Sequence, residues 1–132
     1  MLIPHLHFCD NCNEAIALYE KAFNTKATDI QRNCDYDPEV YAGDTRISHA
    51  VMKIHGQIVF LNDRSEFANT NKSPNGATHL IVQFQTTDEL LTCYEILKDG
   101  STMIDPFEKT SYSELTGNFM DKFGVMWGFM VG

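Results

Sequence analysis

The chain has 132 residues, enough for one domain with a substantial core or for two small repeats that share one. A hydrophobic content of 43% is typical of a globular protein, and a net charge of −8 makes nucleic acid and anionic membranes poor partners. No apolar run approaches the roughly 20 residues of a membrane-spanning helix, and no signal peptide is recognisable, so the sequence predicts a cytoplasmic protein without membrane partners.

A strand followed by a helix is predicted within residues 4–23. The strand alternates between two faces, with histidines on one and apolar side chains on the other: His5 and His7, then Leu6 and Phe8. Asn11 and Glu14 have the spacing of a capping box, and residues 13–23 carry an apolar stripe at helical spacing. This helix should cover the apolar strand face, which leaves the histidine face available to a ligand.

The rest of the first half is predicted to consist of three strands and a loop. The strands cover residues 26–34, 46–54 and 57–61, and the loop covers residues 35–45. His55 and Gly56 form a tight hairpin turn between the last two strands. Residues 63–76 follow as a linker, because they are rich in Asn, Ser, Pro and Gly.

The second half repeats this order of elements. A strand over residues 77–85 places His79 on the face opposite Val82 and Phe84, and Thr86 with Glu89 forms a second capping box. The later elements are a helix and three strands, over residues 88–98, 102–108, 114–121 and 125–131.

The two halves are offset by about 75 residues, judged from the pairs His5 with His79 and Tyr19 with Tyr94. Each half has one helix for one sheet face, so neither closes a core alone. The sequence therefore predicts an α+β fold of two tandem βαβββ modules, residues 1–62 and 77–132, forming a curved mixed sheet with both helices outside. The whole chain, 1–132, is predicted to be one domain.

The motifs of the first half resemble those of the PhnB-like branch of the glyoxalase/bleomycin resistance/dioxygenase (vicinal oxygen chelate) superfamily. Three motifs of that branch, P-x-L-x-F, N-C-x-E-A and Y-x-x-A-F, are matched at Pro4, Leu6, Phe8, Asn11, Cys12, Glu14, Ala15, Tyr19, Ala22 and Phe23. Near the C-terminus, matches occur at Gly117, Asp121, Phe123, Gly124 and Trp127, whereas Tyr112 replaces a Trp, Lys122 a Pro and Val125 a His. The resemblance implies a homodimer that binds a small molecule.

Metal enzymes of this superfamily hold a divalent ion with two residues from each half. The resemblance places the first-strand ligands near His5 and His79 and the fourth-strand ligands at Phe60 and Gly128. Neither Phe nor Gly offers a donor atom, and two histidines are too few for a tight site. Asp63 lies further along the same strand as Phe60.

The resemblance therefore implies a binding cavity without a cofactor or a complete metal site. The expected ligand-binding residues are His5, His7, His79, Phe60 and Tyr112. The alternative is a metal-dependent lyase or dioxygenase of glyoxalase type, with a weak metal site at His5 and His79. A scaffold with a vestigial cavity is a third possibility, in which the strand histidines face solvent.

Other activities have less support in the sequence. Cys9 and Cys12 form a C-x-x-C resembling a redox motif, although ordinary reduced thiols are the more frequent interpretation in the cytosol. Methyl transfer is not expected, because no glycine-rich loop follows a strand to approach a nucleotide cofactor. The G-x-S-x-G motif of many serine hydrolases is also missing. Phe123 and Trp127 are predicted to lie in the core.

Overall fold

The computed structural model describes residues 1–64 and 74–132, and within them the chain forms two compact units, Met1–Pro74 and Asn75–Gly132. Each unit contains one four-stranded mixed sheet, in the strand orders β1-β4-β3-β2 and β5-β8-β7-β6. The first strand of each unit is parallel to the last, and the other neighbours are antiparallel.

The elements of the first unit are β1 His5–Phe8, α1 Cys12–Ala22, β2 Thr28–Arg32, α2 Asn33–Tyr36, β3 Ile47–Ile54 and β4 Gln57–Asp63. Those of the second unit are β5 His79–Phe84, α3 Thr87–Leu97, β6 Thr102–Glu108, β7 Thr116–Met120 and β8 Met126–Val131. This order confirms the predicted α+β class and the two tandem βαβββ modules. In the part of the chain that is described, no helix is long and apolar enough to cross a membrane.

Helix α1 lies on the face of the first sheet that carries Leu6 and Phe8. Its apolar stripe is buried there, and the Tyr19 ring packs 6.2 Å from the Phe8 ring. Because strand side chains alternate, burial of these residues directs His5 and His7 to the opposite face, as predicted.

Helix α3 covers one face of the second sheet in the same way. The Tyr94 ring lies 5.0 Å from Phe119 of β7, and Leu90 and Leu97 are fully buried. Leu91 is exposed and Cys93 is buried, since positions i, i+3, i+4 and i+7 counted from Leu90 form one side of the helix.

The turn between β7 and β8 is organised by the buried carboxylate of Asp121. Its oxygens accept hydrogen bonds from the backbone N–H groups of Phe123 and Val125, at 2.9 and 3.1 Å, and from the indole Nε1 of Trp127 at 2.8 Å. Phe123 and Trp127 are buried, as predicted. Asp121, Phe123 and Trp127, which match the family motif, therefore join the β7–β8 turn to the core.

The capping box predicted at Asn11 is wrong. The Asn11 side chain makes no capping hydrogen bond, and its oxygen is buried without a partner among the described residues. The Asp63 carboxylate instead accepts from the backbone N–H of Cys12 at 3.0 Å. Of the second predicted capping box, the bond to the N-cap side chain is present, since Thr86 Oγ1 accepts from the N–H of Glu89 at 3.1 Å.

Two boundaries of the first unit also differ from the sequence prediction. The second strand ends at Arg32, and the short helix α2 follows where strand and loop were expected, because Asp35 accepts a hydrogen bond from the Arg32 N–H at 3.0 Å. Strand β4 extends to Asp63, the first residue of the predicted linker. The linker otherwise falls largely on residues 65–73, which lie outside the described residues.

Candidate functional site

The face of the first sheet opposite α1, here called the open face, brings several predicted ligand-binding residues together. In the strand register, His5 of β1 lies beside Phe60 of β4, and His7 lies beside Asn62. Phe60 pairs on its other side with Val51 of β3. The parallel pairing of β1 with β4 therefore places His5, His7 and Phe60 on one surface.

Phe60 is the centre of this group. Its half-buried ring makes edge-on contacts with two imidazoles, His5 at 5.9 Å and His49 at 5.0 Å between centroids. The rings of His5 and His7 are 4.5 Å apart. His7 Nδ1 donates a 2.7 Å hydrogen bond to Oδ1 of Asn62, which sets the orientation of that imidazole.

The surroundings of His5 disfavour its charged form. Burial lowers the pKa of His5, and the positive charges of His7, His49 and Arg64 lower it further. A neutral imidazole can both donate and accept a hydrogen bond, so His5 can meet either kind of polar group on a ligand.

The ligand-binding residues expected from the sequence include neither His49 nor Asn62, although a signal for both existed. The turn at His55 and Gly56 pairs Ile54 with Gln57, and the observed ladder follows this count to Ala50 and Leu61. One further step along a two-residue hairpin sets position 49 opposite position 62. The predicted turn was therefore sufficient to place both residues on one face of the β3–β4 hairpin, although not to join that face to His5 and His7.

Two positions of the first unit correspond to metal ligands that the resemblance implies, and of these only His5 offers a donor atom. Phe60 occupies the position at which the resemblance implies a ligand, and Asp63 cannot replace it, because its carboxylate points to the α1 side of the sheet. There its oxygens accept from the N–H groups of Cys12 and Ile47, at 3.0 and 2.9 Å. Within residues 1–64 and 74–132, no three His, Cys, Asp or Glu side chains form a metal-binding group.

The open face of the second sheet, opposite α3, has a notch at Gly128. A Cβ atom there would lie 2.5 Å from His79 Nε2 and 2.7 Å from Asn118 Oδ1, so these two side chains occupy the space that a larger residue would fill. Asn118 also donates a 2.8 Å hydrogen bond to Asp105. His79, Asn118 and Asp105 thus form a polar group around a residue that has no side chain.

The sequence predicts that His5 is equivalent to His79 and that Phe60 is equivalent to Gly128, but the strand registers do not allow both. His5 pairs with Phe60, but Gly128 pairs with Ile81, two residues after His79, which itself pairs with Met126. If Phe60 and Gly128 occupy equivalent positions, the residue equivalent to His5 is Ile81, two residues after His79. His79 reaches Gly128 only diagonally along the sheet.

Tyr112 is not brought close to His79. It is 69% exposed, in the loop between β6 and β7, and it lines an open cavity of about 460 Å³ together with Gln85 and Gly132. His79 begins β5 and Gln85 directly follows its last residue, so the two are about 20 Å apart because a strand advances about 3.3 Å per residue. Tyr112 therefore belongs to a different surface of the second unit.

The cysteines do not form an activated redox pair. Burial raises the pKa of the Cys12 thiol well above its usual range, and the pKa of Cys9 is also raised, by burial and then by Asp10 and Asp63. Burial likewise raises the pKa of Cys93 to about 12. A catalytic thiol needs a lowered pKa, so this arrangement favours ordinary thiols.

Comparisons with known proteins agree with this architecture. A family model described as 3-demethylubiquinone-9 3-methyltransferase matches residues 1–130. Protein YjdN from Escherichia coli (strain K12) is 25% identical over 139 residues, covering 96% of this chain and 91% of YjdN.

Solved structures show the same fold. The PhnB protein from Bacillus cereus has a TM-score of 0.82 and 23% identity, covering 99% of this chain and 98% of that one. A glyoxylase/bleomycin resistance protein/dioxygenase domain from Frankia sp. EAN1pec has a TM-score of 0.71 and 18% identity, covering 100% and 90%. The chain therefore belongs to the 3-demethylubiquinone-9 3-methyltransferase family, and its fold is the one found in the PhnB and glyoxylase/bleomycin resistance structures.

Proposed function

We propose that this chain binds a small organic molecule on the open face of its first sheet and that this binding does not require a metal ion. The observation that carries the proposal is the Phe60 ring, half-buried on the face away from the core and in edge-on contact with His5 and His49. An apolar surface surrounded by a few polar groups is typical of binding sites for organic ligands. Imidazoles at this distance can bind the polar groups of a molecule that rests on the ring.

The alternative, a metal-dependent lyase or dioxygenase of glyoxalase type, has weaker support. It would need a carboxylate near His5, but that position holds Phe60, and Asp63 binds backbone N–H groups on the other face. In the second unit, the neighbour of His79 at the implied ligand position is Gly128, which has no donor atom.

Methyl transfer, which the family's description mentions, is not part of the proposal. The connections from strand to helix, residues 9–11 and 85–86, contain no glycine, so neither allows the close backbone approach that a nucleotide cofactor requires in a glycine-rich loop.

In the second unit, His79 beside Gly128 and Tyr112 at its cavity are proposed as further ligand contacts at separate places.

We also propose a two-fold homodimer in the cytoplasm. Strands β2 and β6 form outer edges of their sheets and are exposed along most of their length. Pairing of chains is a common way to cover such edges. Among the described residues the four cysteines form no disulfide, in keeping with a reducing compartment.

The test of ligand binding is a fragment screen by NMR on the metal-free protein, with Phe60→Leu as the variant. Leucine keeps an apolar side chain but removes the ring, so affinity should fall about tenfold, the equivalent of 1.4 kcal/mol. Tyr36→Leu is the matched control, since Tyr36 is 84% exposed on α2 and should not affect binding.

Two results would contradict the proposal. Fragments that perturb other surfaces but not the signals of Phe60 and His5 would move the binding site elsewhere. Binding that is absent in the metal-free protein and appears on addition of Zn²⁺, Ni²⁺ or Fe²⁺ would restore the metal-dependent alternative.

A further inference from the structure

The open face of the first sheet concentrates basic groups in a chain whose net charge is −8. Three imidazoles lie close together there: His5 is 4.5 Å from His7, and His5 and His49 both contact Phe60. Arg64 follows β4 and is near enough to act on the charge of His5. A local basic cluster in an acidic protein is a feature expected of a site for anions.

The charged groups contributed by each neighbouring strand support this interpretation. Strand β1 contributes His5 and His7, and β3 contributes His49 and, further along the same face, Lys53. Strand β4 is followed by Arg64. The outer strand β2 carries Asp29 and pairs Gln31 with His49.

The carboxylate nearest to this group along β4 is turned away from it. Asp63 lies on the α1 side of the sheet, where its two oxygens accept from the backbone N–H groups of Cys12 and Ile47. These two hydrogen bonds are to backbone N–H groups of α1 and β3 and not to the imidazoles. Asp63 therefore does not balance the charge of protonated His5 and His49, and an anionic ligand on the open face could do so.

We infer that the ligand of this face is an aromatic anion, a carboxylate or a phosphate ester, with its ring against Phe60 and its charged group against His5 and His49. The inference rests on the proposed function, because it names the class of ligand for the same site. A ring stacked or set edge-on against Phe60 supplies apolar contact, and imidazole N–H groups supply charge-assisted hydrogen bonds to the anion.

Binding of such an anion should be linked to a proton. An adjacent negative charge stabilises the imidazolium form, so binding raises the pKa of His5, which burial and then its basic neighbours lower in the free protein. By linkage, affinity for the anion increases as the pH falls from 8 to 6. A neutral ligand of the same shape should show no such increase.

The experiment measures dissociation constants by NMR titration of the full chain at pH 6 and pH 8. The probes are benzoate, which stays ionised over this range, phenyl phosphate, and the neutral benzamide. Affinity for at least one anion should be about fivefold higher at pH 6, equivalent to a coupling of about 1 kcal/mol. Comparison of the two anions separates a carboxylate ligand from a phosphate ester.

The variants His5→Gln and His49→Gln should abolish the pH dependence and weaken the binding of the anion about fivefold each. His55→Gln is the matched control, because His55 is an exposed histidine in the β3–β4 turn, away from this group. Thermal unfolding of each variant verifies that the fold is retained.

Equal binding of benzamide and both anions, or anion affinity that does not change with pH, would overturn the inference and leave the proposed function standing. Binding of no probe at Phe60, whatever its charge, would count against both. Unchanged anion binding in His5→Gln together with His49→Gln would also overturn the assignment of these two residues.

Discussion

Gly117 of β7 and Gly128 of β8 show that the atoms around a glycine determine whether a larger residue can replace it. Gly117 faces α3, where an added Cβ would lie 2.6 Å from Cδ1 of Phe107 and 3.0 Å from the backbone oxygen of Asp105. Gly128 faces the other side, where the nearest atoms are the ends of the His79 and Asn118 side chains. A flexible side chain can move aside, whereas a packed ring and backbone cannot.

We therefore expect Gly117→Ala and Gly128→Ala to differ. Gly117→Ala should lower the free energy of unfolding by about 2 kcal/mol through overpacking. Gly128→Ala should change it by less than about 1 kcal/mol, because reduced freedom of the unfolded chain offsets the displacement of His79. Urea unfolding of both variants gives the comparison, and the His79 imidazole signals should shift in Gly128→Ala. Equal destabilisation, or unchanged His79 signals, would contradict the prediction.

A second prediction at the scale of the residue concerns the contribution of His5 to the pH dependence of stability. Its pKa is lower in the folded chain than the usual value of 6.5, so the unfolded chain binds more protons just below that pH. The contribution of His5 to stability is therefore present above pH 6.5 and is lost as the pH falls toward the folded pKa.

The check is urea unfolding of the wild type and His5→Gln between pH 7.5 and 5.5. The variant should lose less stability on acidification than the wild type, and His55→Gln should behave like the wild type. A variant that loses as much stability as the wild type over this range would show that the environment of His5 does not disfavour its charged form.

At the scale of the element, Asp63 joins three parts of the first unit. It ends β4, binds the N-terminal turn of α1 through Cys12, and binds the start of β3 through Ile47. Burial raises the pKa of Asp63, while the two backbone hydrogen bonds act in the opposite direction. The helix start is therefore determined by a carboxylate from another strand and not by its own cap residue.

Asp63→Ala should consequently lower the free energy of unfolding by about 2 kcal/mol, because two backbone N–H groups lose an ionised acceptor. Asn11→Ala should cost less than about 0.5 kcal/mol, since the side-chain oxygen of Asn11 has no hydrogen-bond partner among the described residues. Chemical denaturation of the two variants measures both. A larger loss for Asn11→Ala would favour the local capping box instead.

At the scale of the whole molecule, the exposed edge strands lead to the predicted dimer. Ile30 on β2 and Ile104 on β6 are each more than two-fifths exposed, and covering such positions would stabilise an assembly. Sedimentation at micromolar concentration should show a species of twice 15.0 kDa. The double variant Ile30→Lys with Ile104→Lys should shift it toward the monomer, and a wild type that sediments only at 15.0 kDa would rule the dimer out.

Much of the fold could be predicted because its signals are local. Alternation along residues 5–8 separates the histidines from Leu6 and Phe8, and helical spacing marks α1 and α3 almost to the residue. The hairpin at His55 even contains the register that aligns β3 with β4. Periodicity of two or 3.6 residues is determined by backbone geometry, so a single sequence is enough to show it.

The candidate site depends on contacts between distant parts of the chain, and these only the tertiary structure decided. The hydrogen bond from His7 to Asn62 spans 55 residues, and that from Cys12 to Asp63 spans 51. Parallel pairing of β1 with β4 has no turn to set its register, so the sequence could not show that Phe60 lies beside His5 or that Asp63 faces the helix. The sequence by itself determined the elements, their repeated order and the face that carries the histidines. Packing of the sheet against α1 decided which side chains meet there.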